Sequence, residues 1–211
     1  MAVPSDEPCP SEVSGEPVPL VLVHGLWDTP ALFDPLLAEL GERRQPRLVP
    51  HLPHGLGSTP LLELAQQLDR RIQESFGPDL RLDLFGFSMG GVISRVWIQL
   101  LGGWRRTRRF TSVASPHRGS LMALPWPRVL LAGLDDMKPG SPLLRQLDQD
   151  LSPLRQIECS SFYCPTDLTV VPGWRAVLPV GGRHRLPGLR HDRLMVAPRN
   201  LEPLVRELLR P

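Results

Sequence analysis

The chain has 211 residues, of which 41% are apolar and 22% charged, a composition typical of a folded globular protein with a sizeable core. Its formal net charge of +2 is too small to indicate a nucleic-acid partner, and no run of about 20 apolar residues predicts a membrane span. The three cysteines, Cys9, Cys159 and Cys164, are too few and odd in number for a disulfide framework, so we expect free thiols.

The first residues differ in composition from the remainder. Residues 1–16 are rich in Pro, Ser and Glu, which predicts a flexible leader, and we expect residues 17–211 to form a single domain. The leader has neither the basic nor the apolar segment of a secretion signal. We therefore expect a cytoplasmic protein.

Short apolar runs alternate with segments of helical periodicity along the rest of the chain. The predicted strands are 18–24, 47–50, 81–87, 110–114, 156–163 and 174–180. Helical patterns occupy 30–40, 61–76, 89–101 and 201–209, and weaker apolar pieces between about 120 and 154 predict a short excursion over one edge. The alternation predicts an α/β fold, a mostly parallel sheet of about six strands with helices on both faces.

The segment Gly86-Phe-Ser-Met-Gly90 is a G-x-S-x-G sequence placed between a predicted strand and a predicted helix. Three common residues at fixed spacing also arise by chance, so the pentapeptide alone is weak evidence. A serine at the apex of a strand–turn–helix is, however, the context of a nucleophile elbow. We predict that Ser88 is a catalytic nucleophile.

A serine hydroxyl needs a general base, usually a histidine oriented by a carboxylate. In this arrangement the expected chain order is serine, acid, histidine. Asp167 follows the strand at 156–163, and His191 follows the last predicted strand. These positions predict Asp167 as the acid and His191 as the base.

Other histidines and aspartates are weaker candidates. His184 lies in the same predicted loop as His191 but closer to the strand, and His117 follows the wrong strand. His24 precedes the serine, where its expected task is to shape the oxyanion loop. His51 and His54 are predicted to be surface histidines, Asp83 lies within a strand, and Asp192 is adjacent to the proposed base.

Two backbone amides are expected to bind the oxyanion of a tetrahedral intermediate. Met89 follows the nucleophile, and the loop after the first strand would supply the second amide from Leu26 or, as the less favoured alternative, from Trp27. In a parallel sheet, reactive groups gather beyond the carboxyl ends of the strands. The predicted strands place the following residues at that edge: Leu26, Ser88, His117, Asp167 and His191.

Several further side chains are candidates for contacts with a substrate or a surface. We expect Trp27, His117 and Trp126 to contact substrate, and an apolar wall for an acyl chain is predicted from Leu121, Leu124, Trp126, Val129 and Leu130. The arginine-rich run 105–109 is predicted to be a solvated helix end, with an anionic lipid surface or partner as the alternative. The Cys and His residues have no metal-ligand spacing, so no metal or cofactor is expected.

The sequence resembles the α/β-hydrolase superfamily and, within it, the small bacterial triacylglycerol lipases and lipase-like esterases. The resemblance spans most of residues 18–210 and is carried by five segments: Val21–Leu26, Gly86–Gly91, Ala114–Ser120, Tyr163–Pro172 and Leu189–Asp192. It implies Ser88, Asp167 and His191 as a catalytic triad, with the amides of Leu26 and Met89 as oxyanion donors.

We therefore expect a serine hydrolase that cleaves carboxylic esters, with acyl lipids as the substrate class. A thioesterase or acyltransferase could use the same triad, and a hydrolase-fold binding protein without catalysis is the alternative from another class. Peripheral contact with a membrane surface and the oligomeric state are left open.

Overall fold

A computed structural model of the protein describes residues 18–126 and 130–211. In these residues six parallel strands form one sheet in the order β2-β1-β3-β4-β5-β6. The strands are β1 (Leu20–Val23), β2 (Arg47–Leu48), β3 (Leu82–Phe87), β4 (Thr107–Val113), β5 (Glu158–Tyr163) and β6 (Gly182–Arg185). The predicted α/β fold class is confirmed.

The central strands are buried on both faces, which is why their sequences are nearly continuous apolar runs. Alternate residues of β1 and β3 enter two separate cores. Val21 and Leu84 pack with one helical layer, whereas Leu22 and Phe85 pack with the other. The sheet is therefore covered by helices on both faces, as predicted.

Helices cover each face of the sheet and form the excursion. The helices are α1 (Asp34–Leu40), α2 (Leu61–Phe76), α3 (Met89–Leu100), α4 (Ala132–Asp136), α5 (Pro142–Gln149), α6 (Ser152–Arg155) and α7 (Pro198–Leu208). The first layer contains apolar residues of α2 and α3, and the second contains those of α1 and α7. The short helices α4, α5 and α6 lie in the predicted excursion.

A buried arginine joins the excursion to α3. Arg95 is fully buried, and its guanidinium donates to the carbonyls of His117 and Leu147, both at 3.0 Å, and to the Asp148 carboxylate at 2.7 Å. A buried guanidinium is costly unless its donors are satisfied. Arg95 therefore fixes α5 against the helix that begins at the predicted nucleophile.

The last strand is not where the apolar pattern predicted it. Residues 174–180 begin within a 3₁₀ turn (Gly173–Ala176) and form no strand, and the buried Leu178 donates its N–H to Ser161 Oγ at 3.0 Å. The strand is instead Gly182–Arg185, whose four residues are all exposed. This edge strand pairs through its backbone with β5, so side-chain burial gives no signal for it.

The arginine run 105–109 is a solvated helix end only at Arg105, which is exposed and ends a 3₁₀ turn (Gly103–Arg105). Its second half begins β4, and Arg108 donates to both oxygens of the buried Asp83 carboxylate, at 3.0 and 2.8 Å. Arg44 donates to the same carboxylate, and Arg109 pairs with Glu158 at 2.7 Å. Arg108 and Arg109 thus join β4 to β3 and β5 near the amino ends of these strands, opposite the predicted site.

Three sequence predictions lie partly or wholly outside the described residues. The flexible leader at residues 1–16, the thiol of Cys9 and the acyl-wall residue Val129 fall there. The other two cysteines, Cys159 and Cys164, are free and buried, as expected. Burial raises the pKa of the Cys159 thiol to about 12, so that thiol is held in its unreactive, protonated form.

Candidate active site

Ser88 stands at the apex of a strained turn between β3 and α3. Its φ of 52° and ψ of −126° lie in a region that non-glycine residues rarely adopt, and its N–H donates to Val113 O at 2.8 Å. A Cβ on Gly86 would lie 2.4 Å from Gly91 Cα, and one on Gly90 would lie 2.1 Å from Val23 O. The turn therefore requires both glycines, which is the geometry of a nucleophile elbow.

Asp167 and His191 come together from the loops after β5 and β6. His191 Nδ1 lies 2.7 Å from Asp167 Oδ2, and the other carboxylate oxygen accepts the N–H groups of Thr169 (2.7 Å) and Val170 (3.2 Å). His191 Nε2 is buried and has no hydrogen-bond partner among the described residues. The His191 ring packs 4.8 Å from the ring of Phe87, the residue before Ser88.

The two loops are also joined to each other by hydrogen bonds. Thr166 Oγ1 donates to the carbonyl of Gly188 at 2.6 Å, and the N–H of Leu168 donates to the carbonyl of Leu189 at 3.3 Å. Cys164 Sγ contacts the same Gly188 carbonyl at 3.0 Å. These contacts hold the carboxylate of Asp167 against the imidazole of His191.

His24 shapes the loop after β1. Its Nε2 accepts the N–H of Leu52 at 3.1 Å, so in the neutral ring Nδ1 carries the proton and donates to the carbonyl of Gly25 at 3.0 Å. Burial lowers the pKa of His24, which favours this neutral form. The role expected for His24 from sequence agrees with these contacts.

His54 was predicted to be a surface histidine, but it holds the same loop. Its Nε2 accepts the N–H of Trp27 at 3.1 Å, and burial lowers the pKa of His54. Because the Trp27 N–H is already bonded, Leu26 is the better candidate for the second oxyanion donor. The N–H of Leu26 donates to no backbone or side-chain acceptor in the described part of the chain. His51, by contrast, is exposed.

His117 was expected to contact substrate, and its burial argues against that role. The ring is fully buried, and neither of its nitrogens has a hydrogen-bond partner within the described ranges. Burial, reinforced by the charge of Arg95, holds the pKa of His117 well below its usual value. Trp27 and Trp126 are 62% and 43% exposed, so both side chains are accessible from solvent, and their contact with substrate stays a prediction.

The remaining rivals for the acid and base are occupied elsewhere. His184 lies within β6 and stacks on Phe162 with ring centroids 4.6 Å apart. Asp192 pairs with its neighbour Arg190 at 2.7 Å, and Asp83 pairs with arginines near the start of β3. None of these three contacts involves Ser88 or His191.

A second acidic residue, Asp28, lies at this site, and no motif in the sequence identifies it. A Cβ built on Gly25 would lie 2.7 Å from Asp28 Oδ2 and 2.9 Å from Ser88 Cβ, so the Asp28 carboxylate and the serine border the same small space. The only signal in the sequence is the position of Asp28 in the loop after β1. That position identifies the edge of the sheet but not the direction of the side chain.

Exposed apolar side chains are frequent on the loops at this edge. Leu56 is 71% exposed, Leu168 65% and Leu189 60%, and the excursion adds further apolar residues: Leu121, Met122, Leu124, Trp126 and Leu130. In the described ranges no group of three or more His, Cys, Asp or Glu residues could hold a metal ion. None of the helices described is long and apolar enough to span a membrane.

No protein-family model matches the chain, and no curated protein matches it. Solved structures do. The chain is similar to a mature lipase of Bacillus licheniformis, with a TM-score of 0.70 and 16% identity over 97% of this chain and 96% of that one. It is also similar to lipase B of Aspergillus fumigatus, with a TM-score of 0.74 and 15% identity over 92% of this chain and 52% of that one.

A third similar structure is a thioesterase of the prodiginine biosynthetic pathway in Streptomyces coelicolor. Its TM-score is 0.61, with 21% identity over 98% of this chain and 96% of that one. At these identities the likeness shows the fold. The chain has the α/β-hydrolase fold, which confirms the fold expected from its sequence resemblance.

Proposed function

We propose that this protein of the α/β-hydrolase fold is a serine hydrolase of carboxylic esters, with Ser88, Asp167 and His191 as its catalytic triad. The observation that carries the proposal is the pairing of His191 Nδ1 with Asp167 Oδ2 at 2.7 Å, which leaves Nε2, beside the strained Ser88 turn, without a partner in the described residues. The Asp167 carboxylate thus orients the imidazole through Nδ1, and Nε2 is available to accept the proton of the Ser88 hydroxyl.

In the first half of the reaction Ser88 Oγ attacks the ester carbonyl carbon. His191 Nε2 takes the hydroxyl proton, and the Asp167 carboxylate stabilises the imidazolium that results. The carbonyl oxygen becomes an oxyanion, which the amides of Leu26 and Met89 bind. Met89 is the first residue of α3, where backbone N–H groups have no partner within the helix.

Collapse of the tetrahedral intermediate breaks the ester bond, and His191 gives its proton to the leaving alcohol. Water then attacks the acyl-enzyme, with His191 again taking the proton, and the second tetrahedral intermediate releases the carboxylic acid. Ser88 recovers its proton from His191. No step requires a metal or a cofactor.

The substrate class proposed is an ester of an acyl lipid. Exposed apolar residues on the segments that follow β4 and β5, among them Trp126 and Leu168, would provide surface for an acyl chain. The same apolar edge would favour peripheral contact with a membrane surface. A thioester presents the same carbonyl to the serine, so acyl-thioesters belong in the test.

The experiment is labelling with a fluorophosphonate probe, which reacts with activated serines. Wild-type protein should be labelled and Ser88→Ala should not, while Ser152→Ala, at an exposed serine of α6, should be labelled like the wild type. Folded wild-type protein that resists labelling would contradict the proposal. A series of p-nitrophenyl esters of increasing chain length, run beside acyl-thioesters, then separates an esterase from a thioesterase.

A further inference from the structure

The loop after β1 carries a carboxylate to the side of the nucleophile. Asp28 is half-buried, and one of its oxygens shares with Ser88 Cβ the space that a side chain on Gly25 would fill. A Cβ at that point would also lie 3.4 Å from Phe87 Cδ1, and the ring of Phe87 packs against His191. Asp28 therefore lies beside the nucleophile and outside the proposed triad.

Two titratable side chains, His191 and Asp192, act on this carboxylate. Burial raises the pKa of Asp28, the nearby His191 opposes that rise, and Asp192 adds to it. The backbone of Gly25 also stabilises the ionised form through a hydrogen bond. Asp192 is already paired with Arg190, whereas Asp28 has no arginine or lysine partner in the described residues.

We propose that Asp28 determines the charge specificity of the site: it excludes substrates that carry a negative charge close to the scissile carbonyl and accepts neutral or cationic ones. The inference rests on the proposed function, since it assumes that an ester carbonyl is attacked at Ser88. The preferred substrate class is thus an ester whose acyl chain is uncharged or carries an ammonium group near the carbonyl.

The expected size of the effect follows from Coulomb's law. At an effective dielectric constant of about 20, the interaction of two unit charges about 6 Å apart alters the binding equilibrium of a charged substrate roughly a hundredfold. Because Asp28 is only half-buried, solvent screens part of this interaction. We expect removal of the Asp28 charge to alter the ratio of kcat/KM between charged and neutral substrates by about tenfold or more.

The test uses three p-nitrophenyl esters whose charges do not titrate. They are the neutral 4,4-dimethylpentanoate, its cationic isostere 3-(trimethylammonio)propanoate, and the anionic 3-sulfopropanoate. The values of kcat/KM are measured for wild type, for Asp28→Asn, and for Asp34→Asn, a matched control at an exposed aspartate that begins α1. Ratios between substrates cancel any change common to all three.

Wild type and Asp34→Asn should have higher kcat/KM values for the cationic and neutral esters than for the anionic ester. In Asp28→Asn, the ratio of kcat/KM for the cationic ester to kcat/KM for the anionic ester should be at least about tenfold lower than in the wild type. An equal fall in all three rates would overturn the inference, because it would show that Asp28 only positions the oxyanion loop. Asp28→Ser provides a second variant, and thermal melting checks that each variant is folded.

A measurement on unaltered protein decides the question independently. As the pH falls through the raised pKa of Asp28, the carboxylate becomes neutral. The ratio of the wild-type kcat/KM for the cationic ester to that for the anionic ester should therefore decrease as the pH is lowered. A ratio that stays constant from pH 8 to pH 3.5, which is below the ordinary pKa of an aspartate, would contradict the inference. If the wild type cleaves none of the esters and resists the fluorophosphonate probe, the proposed function itself fails, which is a distinguishable result.

Discussion

Ser120 Oγ donates a hydrogen bond to the carbonyl of Thr169 at 2.6 Å and so joins the start of the excursion to the loop that carries Asp167. The same oxygen accepts the N–H of Val171 at 3.1 Å and that of Met122 at 3.2 Å. Because Thr169 N–H in turn donates to Asp167 Oδ1, the serine acts on the acid through a single residue. Ser120 is thus a positioning residue for the proposed triad.

Replacing Ser120 with alanine should lower kcat about tenfold and leave KM nearly unchanged, because the acid loop loses two hydrogen bonds, at Thr169 and Val171, while the binding surface stays in place. The free energy of unfolding should fall by about 1–3 kcal/mol. Steady-state kinetics with a short-chain p-nitrophenyl ester and urea denaturation measure the two quantities.

Ser141→Ala is the matched control for Ser120→Ala. Ser141 is equally buried, donates to Asp136 O at 2.6 Å and accepts the N–H of Leu144 at 3.2 Å, but it caps α5. Ser141→Ala should lower the free energy of unfolding by about as much as Ser120→Ala does, and it should leave kcat unchanged. Equal kcat values in the two variants would show that Ser120 has only a structural role.

Asp167→Asn should reduce kcat by about three to four orders of magnitude, because an amide neither stabilises the imidazolium nor fixes the tautomer that leaves Nε2 free. The shape of Asn matches that of Asp, so the melting temperature should change little. Asp192→Asn, one residue from His191 but paired with Arg190, should keep most of the activity. Similar losses in both variants would contradict the assignment of the acid.

The free energy of unfolding should fall as pH is lowered below about 6.5, and His117 should contribute to that fall. Its pKa is lowered in the folded protein, so between that value and the ordinary value the unfolded chain binds more protons. In that pH range His117 lowers the free energy of unfolding by about 1.4 kcal/mol for each unit by which the pH falls. Urea denaturation from pH 7.5 to pH 5 should give a shallower dependence for His117→Leu.

Leu147→Ala provides the comparison for His117→Leu. Leu147 is buried in α5 and carries no titratable group, so its truncation should lower stability at every pH and leave the pH dependence as in the wild type. An unaltered slope in His117→Leu would show that His117 does not stay neutral in the folded protein.

If the proposed function is correct, Trp126→Ala should shift the substrate preference of the protein towards shorter acyl chains. If the indole packs along the chain, loss of that contact should reduce kcat/KM for long-chain esters about tenfold and leave short-chain esters nearly unaffected. Leu80→Ala, at a similarly exposed apolar residue next to the amino end of β3, should leave the profile unchanged. An unchanged profile in Trp126→Ala would remove this residue from the acyl-chain wall.

The elements that sequence predicts best are those whose signals are local. Helix α2 runs from Leu61 to Phe76 as predicted, because its apolar stripe repeats at helical spacing and Gly77, with a φ of 69°, ends it. The strand before Ser88 and the helix after it are likewise encoded in adjacent residues. The exposed strand Gly182–Arg185 has no such signal, since only its backbone pairing with β5 defines it.

The same distinction applies to the candidate site. Sequence order and the rule that parallel strands end at one edge were enough to nominate Ser88, Asp167 and His191, and their catalytic roles and the cytoplasmic location stay predictions. Three features are visible only in the tertiary structure: the burial of His117, the hydrogen bond from the Trp27 amide to His54, and the position of Asp28 beside the nucleophile. Side-chain direction and burial depend on neighbours distant in the chain, and no local pattern of residues encodes them.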